Sequence, residues 1–504
     1  MKFLYKSVGD LSVVHIFFII LITIPIFTSS CRNIIPQPPE SINKQLIIPD
    51  SYYSVQNNIG NYSDNIDGKK TLSKKYIDNN LKGKWWESFG NSELNSLIEN
   101  AIGTNFSLKE AWAKLKQAKA LENSQRSYTF PSINLNASVG HKAIQNSTSS
   151  GSANISDIGS SSESYNSFSA GPLASYEVDL WGKINAKNLE YENKTVAASF
   201  DLETAKISVA AEVANSWVEL ITIREEIALV KKQIEINSML LELLEIRFQN
   251  SMSTALDVLQ QREVVARSRA KIAPLEIRES NLLNAIALLS GKPSPKGITI
   301  KTPTLGEINP MPQIGIPAAL LFNRPDIKSA ESRLTASEWA VSQAKIDKLP
   351  SLNLNGSFLF QHTTLETILK NWIFSIASNI NATLFDGGKN KAAIDLASAV
   401  MEERLYIYKK TVFNAIIEVE NSITSEQYRV KWIDLLKAEL VAAQLALGEA
   451  RNRYIKGIDS FIQVVTEELN VQNLEMNLLE QKSSLFKDRI ALYRAVGGTW
   501  TNIL

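Results

Sequence analysis

Cysteine is almost missing from this chain. One thiol, Cys31, stands among 504 residues, beside only three histidines, His15, His141 and His362. A lone thiol forms no internal disulfide, and scattered histidines do not supply the clustered ligands of a zinc site. No nucleophile–base pairing, phosphate-binding glycine loop or metal-ligand spacing occurs, so an enzyme is not expected and no cofactor is implied. An excess of one charge is missing too. Lys and Arg number 53 and Asp and Glu 52, which gives no basic surface for nucleic acid. After Phe27 no stretch reaches the ~20 apolar residues of a spanning helix, so a membrane crossing beyond that point would have to use β-strands.

What is present begins with an export signal. Lys2 and Lys6 precede an apolar run from Val13 to Phe27, and the small residues Ser29 and Ser30 lead to Cys31. The run is also nearly long enough for an uncleaved anchor. The segment resembles a bacterial lipobox, whose cysteine is lipidated and becomes the mature N-terminus. Thr28 stands where that motif prefers Leu. Arg32, rather than Asp, follows the cysteine, which in that family implies sorting to the outer membrane.

The rest of the chain is written twice. Lys183 opens a long helical pattern after Leu180-Trp181-Gly182, and Lys389 does so after Leu384-Phe385-Asp386-Gly387-Gly388, 206 residues later. Arg247-Phe248 and Arg453-Tyr454 keep that offset, as do Gly291 and Gly497. Phe130-Pro131-Ser132 and Leu349-Pro350-Ser351 are instead 219 apart, so 13 extra residues lie in the first copy. They fit the Ser/Gly/Asn-rich stretch from Gln145 to Glu163, which reads as a surface loop.

Each copy reads as helix, strand, loop, strand, long helix, turn, long helix. Ile133, Leu135, Ala137 and Val139 alternate with Asn134, Asn136, Ser138 and Gly140. Stretches beginning near Phe168, Leu352 and Trp372 alternate in the same way. Period two with one apolar face marks strands. Half-buried soluble strands and membrane-barrel strands share this pattern, and the length of about ten residues or more suits the barrel. Tyr165 and Trp372 near strand ends fit an interfacial aromatic belt. Lys183 to Arg247 contains no Pro or Gly, and 65 helical residues would span roughly 100 Å. Pro274 should kink or break the first return helix, expected over about Thr254 to Ser290. Four strands from one chain cannot close a lipid-exposed barrel, so membrane strands here would require oligomerisation.

Asp179-Leu180-Trp181-Gly182-Lys183, Leu384-Phe385-Asp386-Gly387-Gly388-Lys389 and Arg324-Pro325-Asp326-Ile327, with a C-terminal Leu492-Tyr493-Arg494-Ala495-Val496-Gly497-Gly498-Thr499-Trp500, resemble the TolC family over nearly the whole chain from Cys31. Within that family the likeness is specifically to NodT-type outer-membrane lipoproteins of RND efflux systems. The resemblance implies a mixed α and membrane-β fold. Three chains with four strands each would form a twelve-stranded β-barrel above a long periplasmic α-helical barrel, an outer-membrane efflux channel-tunnel. It implies a signal peptide at 1–30, an N-terminal periplasmic and collar segment at 31–90, a first repeat at 91–290, a collar linker at 291–325, a second repeat at 326–497 and a tail at 498–504. The implied partners are two further copies of the chain, outer-membrane lipid, a periplasmic adaptor and an inner-membrane pump of the RND type. The implied role is passive conduction of small molecules from pump and adaptor across the periplasm and outer membrane. An exit duct for type I protein secretion shares the fold and is the alternative.

The same resemblance puts function at the hairpin tips. Arg247 and Ser251 in the first copy, and Arg453 and Gly457 in the second, match positions that meet the adaptor. Ser251 stands where Gly is preferred, so that turn is expected to differ. Asp257, Asp459 and Glu467 are candidates for a periplasmic carboxylate gate, although Thr466 occupies a place where relatives often carry Asp. A solvated helix face is the plainer reading of each acid, and helix C-terminal capping is the plainer reading of both arginines.

Mass spectrometry of the mature protein should find a diacylglyceryl-modified, N-acylated Cys31. An unmodified or uncleaved N-terminus would refute lipid anchoring.

Overall fold

In the computed structural model a carboxylate starts each of the two longest helices. Asp179 accepts from the amides of Ile184 at 3.0 Å and Asn185 at 2.9 Å. Asp386 accepts from Gly388 and Asn390, each at 2.9 Å. First-turn amides lack intrahelical acceptors and carry partial positive charge, so a carboxylate there meets both needs. The Asn390 and Gly388 amides hold the Asp386 carboxyl below its ordinary range. Gly182 and Gly388 take φ values of 76° and 93°, a left-handed turn that glycine reaches at little cost. The two motifs that mark the repeat are therefore strand-to-helix junctions.

The structure describes residues 48–49, 51–53, 84–147, 160–311, 317 and 323–498. The signal segment and Cys31 lie outside them. In chain order the elements are α1 (Ser92–Thr104), α2 (Phe106–Arg126), β1 (Ser132–Ser147), β2 (Ser160–Val178), α3 (Lys183–Gln249), α4 (Ala255–Ala270), α5 (Ile272–Leu289), α6 (Pro325–Ile346), β3 (Ser351–His362), β4 (Trp372–Asn381), α7 (Lys389–Ile455) and α8 (Phe461–Ala495). Both α3 and α7 have 67 residues. The first return helix breaks at Lys271, three residues before Pro274, where the proline lacks an amide and crowds the preceding turn. No described helix is long and apolar enough to cross a membrane.

The chain divides into two compact units. The first holds a four-stranded antiparallel sheet in the order β1-β2-β3-β4. Its register sets Val139 opposite Phe168, and Phe360 opposite Trp372. One face therefore collects Ile133, Leu135, Val139, Phe358, Phe374 and Ile380, while the other carries Asn136, Ser138, Asn355 and Ser375. Serines pair across the polar face, Ser138 with Ser169 at 2.7 Å and Ser357 with Ser375 at 2.6 Å. The apolar face covers no core: Leu135 is 82% exposed and Ile380 73%. A half-buried soluble sheet would hide these residues, so that reading falls. The β1–β2 ladder runs out to Ser147 opposite Ser160, and the loop expected over Gln145 to Glu163 is shorter at both ends. Backbone pairing there carries the ladder beyond the last clear alternation.

In the second unit, helices α1, α3, α5 and α8 share a core that includes Trp86, Leu94, Ile98, Leu220, Ile221 and Ile286. Trp85 stacks on Tyr493, with centroids 5.6 Å apart. Arg324 Nη1 donates to Ala495 O at 2.7 Å and to Glu418 at 2.8 Å, and its other nitrogens grip Asp326 at 3.0 and 2.7 Å. The Arg-Pro-Asp motif thus ties the start of α6 to the end of α8. The linker is held by Glu93, which accepts from Lys301 N at 2.7 Å and Thr302 Oγ1 at 2.6 Å.

The two hairpin turns have one geometry. Ser251 N donates to Phe248 O and Met252 N to Arg247 O; Gly457 N donates to Tyr454 O and Ile458 N to Arg453 O. This pair of bonds closes a helix with one left-handed residue. Ser251 supplies it at φ 59° and Gly457 at φ 74°. The expectation that serine would change the turn is corrected: the two flanking bonds hold Ser251 in the left-handed state in spite of its Cβ.

Two outcomes follow from these positions. Ser251→Gly should raise the unfolding midpoint, because it relieves about 1 kcal/mol of left-handed strain; a lowered midpoint in thermal melts would contradict this. Gly171→Val should abolish the sheet, since a Cβ on Gly171 would lie 2.0 Å from Phe358 O. Circular dichroism of membrane-extracted protein would test it, with native β-content in the variant as the contrary result.

Candidate functional site at the hairpin turns

The turns join helices whose facing sides are apolar. Leu244, Val258, Leu436, Leu447, Phe461 and Val464 are buried together, and this cluster fixes where the polar side chains nearby emerge. In the second turn Arg453 grips Asp459 with two bonds of 2.6 and 3.2 Å. That hydrogen bond holds the Asp459 carboxyl below its ordinary range and pushes the Arg453 guanidinium up. A depressed carboxyl stabilises the fold above its unfolded pKa. The contribution is lost as pH falls through the folded value. Both groups are on the surface, so the pair is screened by solvent.

The first turn uses its charges differently. Arg247 lies over the Tyr454 ring, 5.0 Å from its centroid, and Arg247 Nη2 donates to Met252 O at 3.4 Å. An arginine over an aromatic face is attracted by the ring's quadrupole. Asp257 Oδ2 accepts from Ser253 Oγ at 3.0 Å and Thr254 N at 2.9 Å, while Asp257 N donates to Thr254 Oγ1 at 3.2 Å. This is a reciprocal capping box at the start of α4.

The structure thus brings Arg247 of one turn onto Tyr454 of the other and joins Arg453 to Asp459. Asp257 bonds within its own turn. Glu467 is half-buried on α8, and Thr466 Oγ1 donates to Ile462 O at 2.8 Å within the same helix. Sequence reading missed Arg451, which pairs with buried Glu468. Those two residues are 17 apart in sequence and meet only because the hairpin folds back, so no local spacing announces them. The Tyr454 contact had a signal: Tyr454 occupies the repeat position of Phe248.

A family model described as outer membrane efflux protein matches the chain twice, over residues 97–292 and 316–498. The chain is 29% identical over 420 residues to the pyoverdine export outer membrane protein OpmQ of Pseudomonas aeruginosa, covering 83% of this chain and 87% of that one. It is 24% identical over 429 residues to the cation efflux system protein CusC of Escherichia coli O157:H7, covering 84% and 90%. The solved structure of the outer membrane protein VceC from Vibrio cholerae superposes with a TM-score of 0.74 at 25% identity, covering 82% of this chain and 98% of that one. With two matched repeats, a four-stranded sheet and paired long helices, the chain belongs to the outer membrane efflux protein family and is the outer-membrane channel of an efflux system.

Proposed function

We propose that three copies of this chain form a passive duct, with a closed twelve-stranded barrel in the outer membrane and a helical barrel in the periplasm. The observation that carries this is the sheet. Its apolar face is exposed, and β1 and β4 each have a strand partner on one side only among the described residues. Unpaired edges are not viable in hydrocarbon, and four strands are too few to close. Further copies supply the missing edges, and lipid covers the apolar face.

In this reading Cys31 carries the lipid anchor, and the loop between β1 and β2 faces the cell exterior. The turns at Arg247, Ser251, Arg453 and Gly457 meet a periplasmic adaptor, which links the duct to an inner-membrane pump of the RND type. The chain itself does no covalent chemistry and needs no cofactor. The pump supplies the energy, and cargo is chosen upstream of the duct. The segmentation at 31–90, 91–290, 291–325, 326–497 and 498–504 belongs to the same proposal.

Asp257, Asp459 and Glu467 form the proposed periplasmic constriction. A ring of carboxylates concentrates negative charge and favours cations. The capping role of Asp257 shapes the test. Asp257→Asn removes the charge yet keeps an oxygen for Thr254 N, so the helix start survives. In planar bilayers the wild-type protein should form cation-preferring channels. Asp257→Asn should raise conductance or lower cation preference, while Glu242→Gln, well up α3, should do neither. Absence of channels would defeat the duct. Identical behaviour of the two variants would move the gate away from Asp257.

A further inference from the structure

The turn between β3 and β4 is held by a side chain as well as by backbone. Its base is closed by Gln361 N, which donates to Asn371 O at 3.1 Å, and Phe358 stacks on Trp372 with centroids 5.7 Å apart. Beyond the base, Leu365–Lys370 forms a short 3-10 segment. His362 Nδ1 accepts from the Thr364 amide at 3.2 Å. The same nitrogen meets Thr367 Oγ1 at 2.6 Å and Thr364 Oγ1 at 3.2 Å. A side chain that accepts from the amide two residues on is the arrangement of an Asx turn, built here with an imidazole.

That bond fixes the protonation state of the ring. A backbone amide can only donate, so Nδ1 must offer Thr364 a lone pair, and the ring is the neutral tautomer with its hydrogen on Nε2. An imidazolium carries a hydrogen on both nitrogens. Protonation therefore sets Nδ1–H against Thr364 N–H. The threonine hydroxyls can rotate their hydrogens away, but the amide cannot. His141, on the same face of the sheet by alternation, is the opposite case. Its Nδ1 meets Asn166 Oδ1 at 2.8 Å. An amide oxygen only accepts, so Nδ1 of His141 already holds a hydrogen there and the bond survives protonation.

The surroundings offer the charged ring no compensation. Phe168 is its register partner on β2, and Tyr165 of that strand lies on the other face by alternation. The segment Trp372–Asn381, which is β4, contains no ionisable residue. The charges of the turn itself are Glu366 and Lys370, both exposed and of opposite sign, and neither bonds His362. His362 and Thr363 also line a recess of about 400 Å³ whose lining includes Tyr165 and Ile373. The bond from Thr364 to His362 thus helps to shape one side of that recess.

We propose that His362 is an acid-sensitive latch on the β3–β4 turn. The neutral ring pins Thr364, and the pin is lost as pH falls through the range of about 8 to 5 in which imidazole ordinarily gains its charge. The base of the turn, closed by backbone and by the Phe358–Trp372 stack, stays in place. The turn lies at the same end of the sheet as the β1–β2 loop. That this end faces the cell exterior rests on the duct reading; the latch itself does not.

Amide hydrogen exchange at Thr364 reads the latch, in purified full-length protein in detergent, at about pH 8 and about pH 5, the two ends of the imidazole range. His362→Asn keeps an acceptor near the place of Nδ1 but does not titrate. At the higher pH the wild type and His362→Asn should exchange alike. At the lower pH the wild type should exchange roughly five-fold faster than His362→Asn, the scale of one net hydrogen bond. His362→Ala should be fast at both, and His141→Asn should leave the wild-type response unchanged. Protection of Thr364 in the wild type, referred to the intrinsic exchange rate at each pH, should fall in acid; an unchanged value overturns the latch whatever the variants do. Loss of the response in His141→Asn overturns it too, since the sensor would then be the other histidine. The measurement needs no channel activity, so failure of the duct reading would not be mistaken for failure of the latch.

Discussion

A peptide group in hydrocarbon needs a hydrogen-bond partner from protein, because no water is there to provide one. The rest of this structure is arranged around that requirement. The β1–β2 ladder runs unbroken from Ser132 opposite Ser175 to Ser147 opposite Ser160, and the β2–β3 ladder skips only Gly171 and Pro172, where proline has no amide to give. Each strand pair then hands over to a helix, which meets its own backbone needs internally. The handover is the exposed moment, since the first amides of the helix have no partner. Asp179 and Asp386 fill that gap, and the glycines beside them allow the chain to turn.

The same accounting explains the R-P-D motif and the linker. Arg324 accepts no bonds and must donate all of its own. Nearly buried, it finds Asp326, Glu418 and the carbonyl of Ala495. Its guanidinium is pushed up against the opposing cost of burial by those carboxylates. Arg489 solves the same problem with Glu426 and the carbonyl of Asn309. Buried pairs of this kind contribute little net stability, but removing one partner strands the other. They fix which segments meet rather than how strongly the unit holds together.

The polar layer at Gln233, Asn237 and Gln472 stands apart from this economy. A coiled-coil core gains stability from apolar contact, and buried amides give up some of it in return for a defined register. Here Gln261, Glu468 and Gln472 interrupt the apolar faces of α4 and α8, and one acceptor is left unmet.

Much of the fold was legible from residue order alone. Alternation of Ile133, Leu135 and Val139 with Asn and Ser gave the strands, and the break near Pro274 followed from a missing amide. The 206-residue offset located both turns. These are local properties of two or three neighbouring residues, or a repeat of them, so they survive being read in one dimension. What the tertiary structure alone decided depends on residues far apart in the chain. Ser251 adopts the glycine-like turn because flanking bonds enforce it. Asp257 is engaged as a helix cap, and Arg247 lies on Tyr454 rather than beside an acid. Gln472 meets Asn237 across 235 positions and still lacks a donor. A side chain's partners are set by which helix faces pack together, and that packing is a sum over many weak contacts that no single stretch of sequence contains.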